Sequence, residues 1–438
     1  MNLLLSISGL VGKKSLPPMA VPSFPAQAPE PIEVDTRSRT LDEELQKPET
    51  SIIRLVELLI DHAQTSGASD IHLDPRADGM MVRLRIDGVL RDTHHFPTAI
   101  QNEIIARIKI LCGLRTDEHQ AAQDGRFRAE LQDGSSVDVR VSIVPTYYGE
   151  NGVMRLLSGE AQTFSLDSLG FTKENQEKIM RAVKKPYGMV LATGPTGSGK
   201  TTTLYTLVKM LNVPDRSIIT VEDPIEYSIS GINQIQINPR TNLTFANGLR
   251  SMLRQDPNVI MVCEIRDMET AGLAVNTALT GHLVLSTLHT NDAPTTLPRL
   301  LDMKVEPYLI ASTVNVAIGQ RLIRRICPDC KVEKKITSVE ATSLSESIPK
   351  EFLDTHKTFF EGRGCALCSG TGYRGRVGLH EVMEIDNPVR EAILRKASAN
   401  DIRDVAVAQG MVPMLIDGFH KAAKGLTTIE EVLRMRHE

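Results

Sequence analysis

The sequence predicts an α/β fold with a parallel sheet, and three observations lead to this prediction. Short apolar runs alternate with helical patterns through the middle of the chain, as in parallel sheets. A glycine-rich segment, Gly194–Thr202, follows the first run and precedes a helical pattern. Each later run ends in acidic or histidine side chains. Because ligands bind at the carboxyl ends of parallel strands, these groups are expected at one edge of the sheet.

Composition limits the class of protein. The chain has 438 residues, enough for about two to four domains. A net charge of −4, the absence of Trp and the few aromatic residues argue against a general nucleic-acid binder. No run reaches the roughly 18 apolar residues that span a bilayer.

The first 50 residues are predicted to be a tail and linker. The apolar run Met1–Val11 is short, and its basic residues follow it, so a secretory signal is not expected. It is either a disordered tail or a small helix that docks on a membrane or partner. Residues 15–50 are rich in Pro, Ser, Glu and Gln without periodicity, which predicts a flexible linker.

Residues 51–160 are predicted to form a small α+β domain. Ser51 is a candidate N-cap, and Asp87-Gly88 and Asp133-Gly134 are hairpin turns, the second leading into an outer strand. Residues 158–174 form a hinge-like connector. The predicted elements are Ile52–Ile60, Ser69–Leu73, Met80–Ile86, Val89–Arg91, Gln101–Leu111, Phe127–Leu131 and Ser136–Val144.

The glycine-rich segment fits the phosphate-binding pattern G-x-x-x-x-G-K-[ST]. It lies between a strand-like run, Gly188–Ala192, and a helical pattern, Thr201–Met210, a context that disfavours a chance glycine-rich turn. Lys200 is expected to reach the β- and γ-phosphates of a nucleoside triphosphate, and Thr201 to hold Mg²⁺. The predicted nucleotide-binding residues are Gly194, Pro195, Thr196, Gly197, Ser198, Gly199, Lys200, Thr201 and Thr202.

Acids and histidines follow the later runs. Glu222 and Glu226 follow Ser217–Val221, and Glu264 ends a run that has the form of a Walker B strand. Glu264 is a candidate to hold the Mg²⁺ shell or orient the attacking water, and Glu222 and Glu226 are rival candidates to orient that water. The alternative is that one or two of them only cap helices. His282 and His289 flank Leu283–Leu288 and either sense the γ-phosphate or form hydrogen bonds at the sheet edge, the first role being favoured for His289.

Four of the six cysteines form two C-x-x-C pairs, separated by residues 331–364. Four thiolates close a tetrahedral structural zinc site, and this is favoured over reduced thiols that bind nothing. The predicted ligands are Cys327, Cys330, Cys365 and Cys368. Cys112 and Cys263 are single and expected in the core. A basic cluster at Arg321–Lys335 is read as a solvated face rather than a nucleic-acid site.

Several long motifs closely resemble those of the secretion ATPases of type II secretion and type IV pilus assembly. The resemblance covers roughly residues 50–438. The motifs are Arg254–Asp267, Thr220–Glu226 (the Asp box), Leu279–Asp292 (the His box), Ser69–His72, Gln123–Arg126 and Asp138–Ser142.

The resemblance implies an ATP-hydrolysing homohexamer in the cytoplasm, docked on a polytopic platform protein of the inner membrane. Hydrolysis would drive the platform to insert pilin-like subunits into a filament, without a nucleic-acid partner. Arg140 and Arg155 of the small domain would reach the γ-phosphate when the domains close. The four cysteines resemble those of assembly motors rather than retraction motors.

The resemblance also implies the complete fold class. It is α/β, with a RecA-like P-loop NTPase core preceded by a small α+β (PAS-like) domain. A zinc knuckle and a helical C-terminal part follow. The expected boundaries are 1–50 (tail and linker), 51–160 (small domain), 161–175 (hinge), 176–325 (ATPase core), 326–370 (zinc insertion) and 371–438 (helical subdomain).

Two departures from the family pattern and two alternative functions accompany this prediction. Cys263 stands where the family usually has Gly, and the longer members carry an N-terminal docking domain that these first 50 residues do not match. The alternatives are a DNA-uptake or conjugation ATPase of the same fold and a scaffold that binds ATP without turning it over. Low aromatic content disfavours the first, and the acids together with Lys200 disfavour the second.

Overall fold

Two large β-sheets organise the chain in the computed structural model. The structure describes residues 36–47, 51–157, 164–335, 355–356 and 358–435. The first sheet has six strands, the second has seven, and a third has two. No helix in these ranges combines the length and the apolar character needed to cross a membrane.

The small domain packs three helices on one face of the six-stranded sheet. Its strand order is β3-β2-β1-β6-β5-β4, and all neighbouring pairs are antiparallel. Apolar residues that alternate along the strands meet the helices in one core, so the opposite face of the sheet is polar. The elements are α1 (Thr36–Leu45), α2 (Ile52–Thr65), β1 (Ala68–Arg76), β2 (Gly79–Ile86), β3 (Val89–Pro97), α3 (Thr98–Leu111), β4 (Gln123–Glu130), β5 (Ser136–Thr146) and β6 (Gly149–Leu157).

Local signals in this domain are confirmed at two points. The side chain of Ser51 accepts a hydrogen bond from the backbone N–H of Arg54, as an N-cap does. Asp87 and Gly88 have φ angles of 51° and 85°, the left-handed conformation of a tight hairpin turn. The predicted helix after Ser51 and the hairpin at Asp87-Gly88 therefore form where expected.

Two predictions for this region are wrong. Helix α1 lies within the predicted linker, and its Leu41 is fully buried in the core; residues 1–35 and 48–50 lie outside the described residues. Strand β6, which was not predicted, pairs with both β1 and β5. Strand β5 is therefore interior rather than outer, because the true edge strand on this side is β4.

The seven-stranded sheet carries the glycine-rich segment. Its order is β15-β12-β7-β11-β10-β8-β9, parallel except for the pair β12–β15. The elements up to β12 are α4 (Lys173–Val183), β7 (Gly188–Thr193), α5 (Lys200–Leu211), β8 (Ile218–Glu222), β9 (Asn233–Gln236), α6 (Phe245–Met252), β10 (Val259–Val262), α7 (Met268–Leu279), β11 (Leu283–Leu288), α8 (Thr296–Asp302), α9 (Pro307–Thr313) and β12 (Val314–Ile326). Beyond β12 come β13 (Lys331–Lys335), β14 (Thr358–Gly362), β15 (Tyr373–Glu384), α10 (Asn387–Leu394), α11 (Ala399–Ala408), α12 (Met414–Ala423) and α13 (Ile429–Arg434).

Burial on both faces explains why these strands are mostly apolar. Every residue of β7, β8, β10 and β11 is buried, and two apolar cores cover the two faces of the sheet. A parallel sheet covered on both sides requires this pattern. The predicted parallel sheet is confirmed.

The predicted helical subdomain begins too early. Residues 373–384 form β15, an edge strand of the large sheet, because the buried run Val377–Met383 pairs with β12. Helices start only at Asn387. The predicted hinge overlaps α4, which begins at Lys173, and residues 158–163 lie outside the described ranges.

Candidate functional site

The glycine-rich segment forms a loop between β7 and α5. Gly194, Gly197 and Gly199 have φ angles of 149°, 79° and 87°, a region that side chains other than glycine rarely adopt. A Cβ on Gly194 would lie 2.4 Å from the carbonyl oxygen of Gln320, whereas one on Gly197 would meet no atom within 4 Å. The loop therefore packs against β12 at Gly194 and faces open space at Gly197.

Lys200 places a buried positive charge in this loop. Its Nζ donates hydrogen bonds to the carbonyl oxygens of Gly194 (2.8 Å) and Pro195 (2.9 Å). Burial lowers the pKa of Lys200 to about 8, against the opposing effect of Glu264. The hydroxyl of Ser198 is buried without a hydrogen-bond partner in the described part of the chain. A destabilised ammonium beside an unsatisfied hydroxyl fits a polyphosphate ligand.

Gln320 of β12 fixes the loop, and the sequence analysis missed it. Its Nε2 donates to the carbonyl oxygen of Ser198 (2.7 Å), and its Oε1 accepts from the hydroxyl of Thr203 in α5 (2.9 Å). The side chain is 2% exposed. The available signal was a polar residue, Gln320, within a buried and mostly apolar strand.

Glu264 lies at the carboxyl end of β10, close to the loop. His289, which follows β11, has its Nε2 3.1 Å from Oε2 of Glu264, and Arg266 forms an ion pair with the same carboxylate. Glu264 also acts electrostatically on Lys200. The structure thus brings together three predicted residues, Lys200, Glu264 and His289, and adds Arg266.

Glu222 occupies a different environment at the end of β8. Its carboxylate is fully buried and accepts hydrogen bonds from Thr220 (2.5 Å), Gln234 (3.1 Å) and the Tyr205 hydroxyl. Burial and the neighbouring Glu222 raise the pKa of Tyr205 above its ordinary value. Both carboxylate oxygens of Glu222 thus accept hydrogen bonds from protein donors.

Glu226 meets the small domain. Arg140 of β5 has its Nη1 2.9 Å from Oε2 of Glu226 and donates from Nη2 to the carbonyl oxygen of Ile225 (2.5 Å). Arg155 of β6 instead pairs with Asp70, with 3.0 Å between Nε and Oδ1. Both arginines line a cavity of about 600 Å³ whose large-domain wall consists of residues that follow β8 and a residue of β9. No residue of the glycine-rich loop lines this cavity.

His282 does not belong to this group of residues. It precedes β11, whereas His289 follows it, so about 23 Å of extended chain separates them. Its Nδ1 lies 3.2 Å from the carbonyl oxygen of Thr277. The strand thus places His282 at the opposite edge from His289, where its contact with Thr277 fits the hydrogen-bonding alternative of the two roles considered for it.

The loop after His289 is tied to the C-terminal helices, which the sequence analysis also missed. Asp292 forms an ion pair with Arg403 of α11. The buried Glu381 of β15 accepts hydrogen bonds from the backbone N–H groups of Ala293 (2.7 Å) and Met414 (3.1 Å). Movement of this loop would therefore reach α11 and α12 directly.

The four paired cysteines form a second site. Their sulfur atoms all lie within 4.8 Å of one another, with 3.8 Å between Cys327 and Cys365 and between Cys330 and Cys368. Sulfurs around a tetrahedral zinc ion are about 3.8 Å apart for Zn–S bonds of about 2.3 Å. Backbone N–H groups of Cys365 and Gly372 donate to the Cys368 sulfur. The donor set fits a closed structural zinc site.

Sequence comparison finds close relatives. Residues 45–434 match the family described as type II/IV secretion system protein. The type IV pilus assembly ATPase PilB of Thermus thermophilus is 43% identical over 410 residues, covering 93% of this chain and 44% of that protein. The type II secretion system ATPase E of Vibrio cholerae is 44% identical over 387 residues, covering 88% and 76%. This chain thus spans less than half of the first relative.

Solved structures show the same fold. The Legionella pneumophila ATPase DotB matches with a TM-score of 0.65 at 21% identity, covering 90% of this chain and 98% of that one. The pilus retraction motor PilT with bound ADP matches with a TM-score of 0.60 at 25% identity, covering 87% and 96%. The predicted P-loop ATPase fold is confirmed, and the chain belongs to the type II/IV secretion system protein family, whose named relatives here are ATPases.

Proposed function

We propose that this protein is an ATPase motor that powers assembly of a type IV pilus or a type II secretion pseudopilus. The observation that carries the proposal is the placement of buried Lys200 in a glycine-rich loop with Glu264 nearby, at the carboxyl end of β10 in the same sheet. These are the groups that phosphoryl transfer to water requires. The names of the closely similar relatives support the choice of process.

The loop would hold the nucleotide phosphates. Its backbone N–H groups and the N-terminus of α5 favour anions, and Lys200 would exchange its two carbonyl partners for phosphate oxygens. Thr201 and Glu264 would hold Mg²⁺, which neutralises charge on the phosphates when bound.

Glu264 is the acid that would orient the attacking water. Its carboxylate has exposed partners in Arg266 and His289, so it can exchange them for water. Glu222 is enclosed and already accepts three hydrogen bonds, so its role would be to hold the strand end in shape. His289 would orient the carboxylate of Glu264.

The small domain would complete the site by moving. Arg140 pairs with Glu226 and Arg155 with Asp70 in this arrangement. Release of these carboxylates would free the guanidinium groups for the γ-phosphate, so that hydrolysis depends on domain position. Glu226 would therefore act as a latch for Arg140 rather than as a base.

The remaining features follow from the family. We propose a homohexamer in the cytoplasm at the inner membrane, docked on a polytopic platform protein. Four cysteine thiolates would hold one structural Zn²⁺ per chain.

The test compares the wild type with Lys200→Ala and Glu264→Gln. Wild-type protein should hydrolyse ATP with Mg²⁺, Lys200→Ala should lose nucleotide binding and hydrolysis, and Glu264→Gln should retain binding of a fluorescent ATP analogue while hydrolysis falls at least 100-fold. Equal residual rates in all three proteins would favour a non-hydrolysing scaffold. Salt-dependent binding of single-stranded DNA at physiological ionic strength would instead favour a DNA-translocating ATPase.

A further inference from the structure

One row of charged side chains crosses the polar face of the small sheet. The strand registers place Arg126 of β4 opposite Arg140 of β5, and Arg140 opposite Arg155 of β6. The row continues through Asp70 of β1 to Arg85 of β2. Because directly opposed residues lie on the same face of a sheet, all five side chains project to one side.

Positive charge exceeds negative charge along this row. Asp70 serves two arginines, with 3.0 Å between its Oδ1 and Nε of Arg155 and 3.5 Å between its Oδ2 and Nε of Arg85. Arg140 takes its counter-charge from Glu226 of the large domain. Like charges directly opposed in a sheet destabilise it by roughly 0.2–1 kcal/mol a pair. A row that keeps three adjacent arginines is therefore suited to an anion supplied from outside the domain.

Arg126 is the member of the row that has no counter-charge. It is exposed, and within the described ranges it forms no hydrogen bond and no ion pair. It lines the cavity of about 600 Å³ together with Arg140 and Arg155. It also lines an adjoining cavity of about 420 Å³ together with Arg140 and Glu226. Its guanidinium thus borders the place where the small domain meets the loop after β8.

The neighbouring Arg128, which borders the smaller of these cavities but not the larger one, shows what a locally paired arginine on this strand looks like. It lies two residues further along β4, on the same face, but opposite Asp138 rather than another arginine. Its Nε and Nη2 both bond to the hydroxyl of Ser136, at 2.8 and 2.6 Å. The same strand therefore carries one arginine that is matched locally and one that is not.

We propose that Arg126 is a third phosphate-binding arginine of the small domain, acting with Arg140 and Arg155 on the terminal phosphates of a nucleoside triphosphate. This inference rests on the proposed function. Three arginines in register on adjacent strands, whose backbones lie about 4.8 Å apart, offer forked donors to several phosphate oxygens at once. Domain closure would bring the whole row to the nucleotide. Arg126 could then bind phosphate without first breaking an ion pair, whereas Arg140 and Arg155 must each release a carboxylate.

The experiment compares Arg126→Ala, Arg126→Gln and Arg126→Lys with the matched control Arg128→Ala in the full chain. One readout is the ratio of affinities for a non-hydrolysable ATP analogue and for ADP, and the second is kcat for ATP. A charge-assisted bond is worth about 1.5–3 kcal/mol, which is roughly 10- to 150-fold. We expect Arg126→Ala and Arg126→Gln to lower the affinity ratio and kcat at least tenfold, Arg126→Lys to recover part of both, and Arg128→Ala to stay within twofold.

Two results would overturn the inference. One is wild-type affinity ratios in the Arg126→Ala and Arg126→Gln proteins, and the other is an equal loss in Arg128→Ala, which would indicate only general surface charge. The proposed function fails separately, when the wild type binds the analogue but does not hydrolyse ATP. In that case the affinity ratio alone still decides the role of Arg126. A wild type that binds neither nucleotide overturns both.

Discussion

The loop site around Lys200 and the four-cysteine cluster are built in opposite ways. The cluster takes its four sulfurs from two short turns joined by backbone hydrogen bonds, such as Cys327 N–H to Gly372 O (2.9 Å) and Arg363 N–H to Cys330 O (3.1 Å). The loop site gathers residues from β7, β10, β11 and β12, and its charged groups hold partners that a ligand can replace. One region is closed and the other can exchange its partners.

This difference assigns the cysteine cluster to the stability of the fold and the loop site to nucleotide turnover. A four-thiolate site has no open coordination position, so it stabilises local structure and performs no chemistry. The loop site keeps a buried ammonium and an unsatisfied hydroxyl, which costs free energy without ligand. Changes at the cluster should therefore act on folding, and changes at the loop should act on nucleotide binding.

The largest effect that tests this comparison is removal of the cluster. The double variant Cys330→Ser/Cys368→Ser should lower zinc from about one ion per chain to nearly none and lower the unfolding midpoint by several degrees, because structural zinc contributes about 10–16 kcal/mol of binding free energy in small domains. Elemental analysis and thermal melting measure the two effects. Affinity for a fluorescent ATP analogue should change less than twofold.

Cys112→Ser is the matched control, because Cys112 is half-buried and lies outside the cluster. It should keep full zinc content. A wild type that is purified without chelator and contains no zinc would remove the metal assignment. Parallel loss of zinc and of nucleotide affinity in the double variant would show that the two regions are not independent.

The same contrast explains what the sequence could predict. The cysteine ligands follow from spacing alone, because each knuckle is local. The loop follows equally well, since its glycines, Lys200 and flanking elements are contiguous. The roles of Glu222 and Glu264 did not follow, because they depend on burial and on donors such as Tyr205 and Gln234 that come from other elements.

Register and strand order account for the other differences. Strand β6 was missed, and with it the alignment of Arg126, Arg140 and Arg155, which only the pairing of three strands creates. Gln320 and Glu381 act across strands from the loops they hold. His282 and His289 flank one strand, which sends them to opposite edges of the sheet, and His289 is the one that contacts Glu264.

The second prediction tests whether Glu222 stabilises the fold of the nucleotide site while Glu264 acts in turnover. Glu222→Gln should lower the free energy of unfolding by about 1–3 kcal/mol, because an amide NH₂ would face donors in a fully buried site. Glu264→Gln should change it by less than about 0.5 kcal/mol, since its partners Arg266 and His289 are exposed. Chemical denaturation measures both.

ATP turnover is the companion measurement for this pair. We expect the larger loss of kcat in Glu264→Gln and the larger loss of stability in Glu222→Gln. The reverse order, with Glu222→Gln stable and inactive, would make Glu222 the acid that acts on water.

The third prediction concerns a contact that joins the small domain to the flank of the cluster. Asp87 accepts a hydrogen bond from the backbone N–H of Gly375 (2.9 Å), close to the second cysteine pair. Asp87→Gly keeps the left-handed turn and removes this bond, worth about 0.5–1.5 kcal/mol. Hydrogen exchange at Gly375 should rise about three- to tenfold while zinc content is unchanged.

The turn at the other end of β2 provides the control. Asp78, an exposed residue that pairs only weakly with His95, should tolerate Asp78→Gly without a change at Gly375. Unchanged exchange in Asp87→Gly would show that the domains do not meet there in solution.

The smallest effect is the pH dependence that Lys200 contributes. Burial holds its pKa at about 8 in the folded protein, below its ordinary value of 10.5. Below pH 8 both the folded and the unfolded chain bind this proton, and the full cost of burying the charge is present. Between about pH 8 and 10.5 the unfolded chain binds more protons than the folded chain, so this group makes the free energy of unfolding rise with pH.

Comparison with Lys200→Met isolates that contribution. The wild type should gain stability relative to Lys200→Met as the pH rises from 7.5 to 9.5, because only the wild type can lose the proton that burial disfavours. The difference in thermal midpoint, measured without nucleotide at several pH values, should therefore move in favour of the wild type by about one or two degrees. A difference in thermal midpoint that is constant with pH, or that moves the other way, would mean that the Lys200 ammonium is not desolvated. The loop would then hold no costly buried charge, and the contrast with the closed cysteine cluster would fail at its central residue.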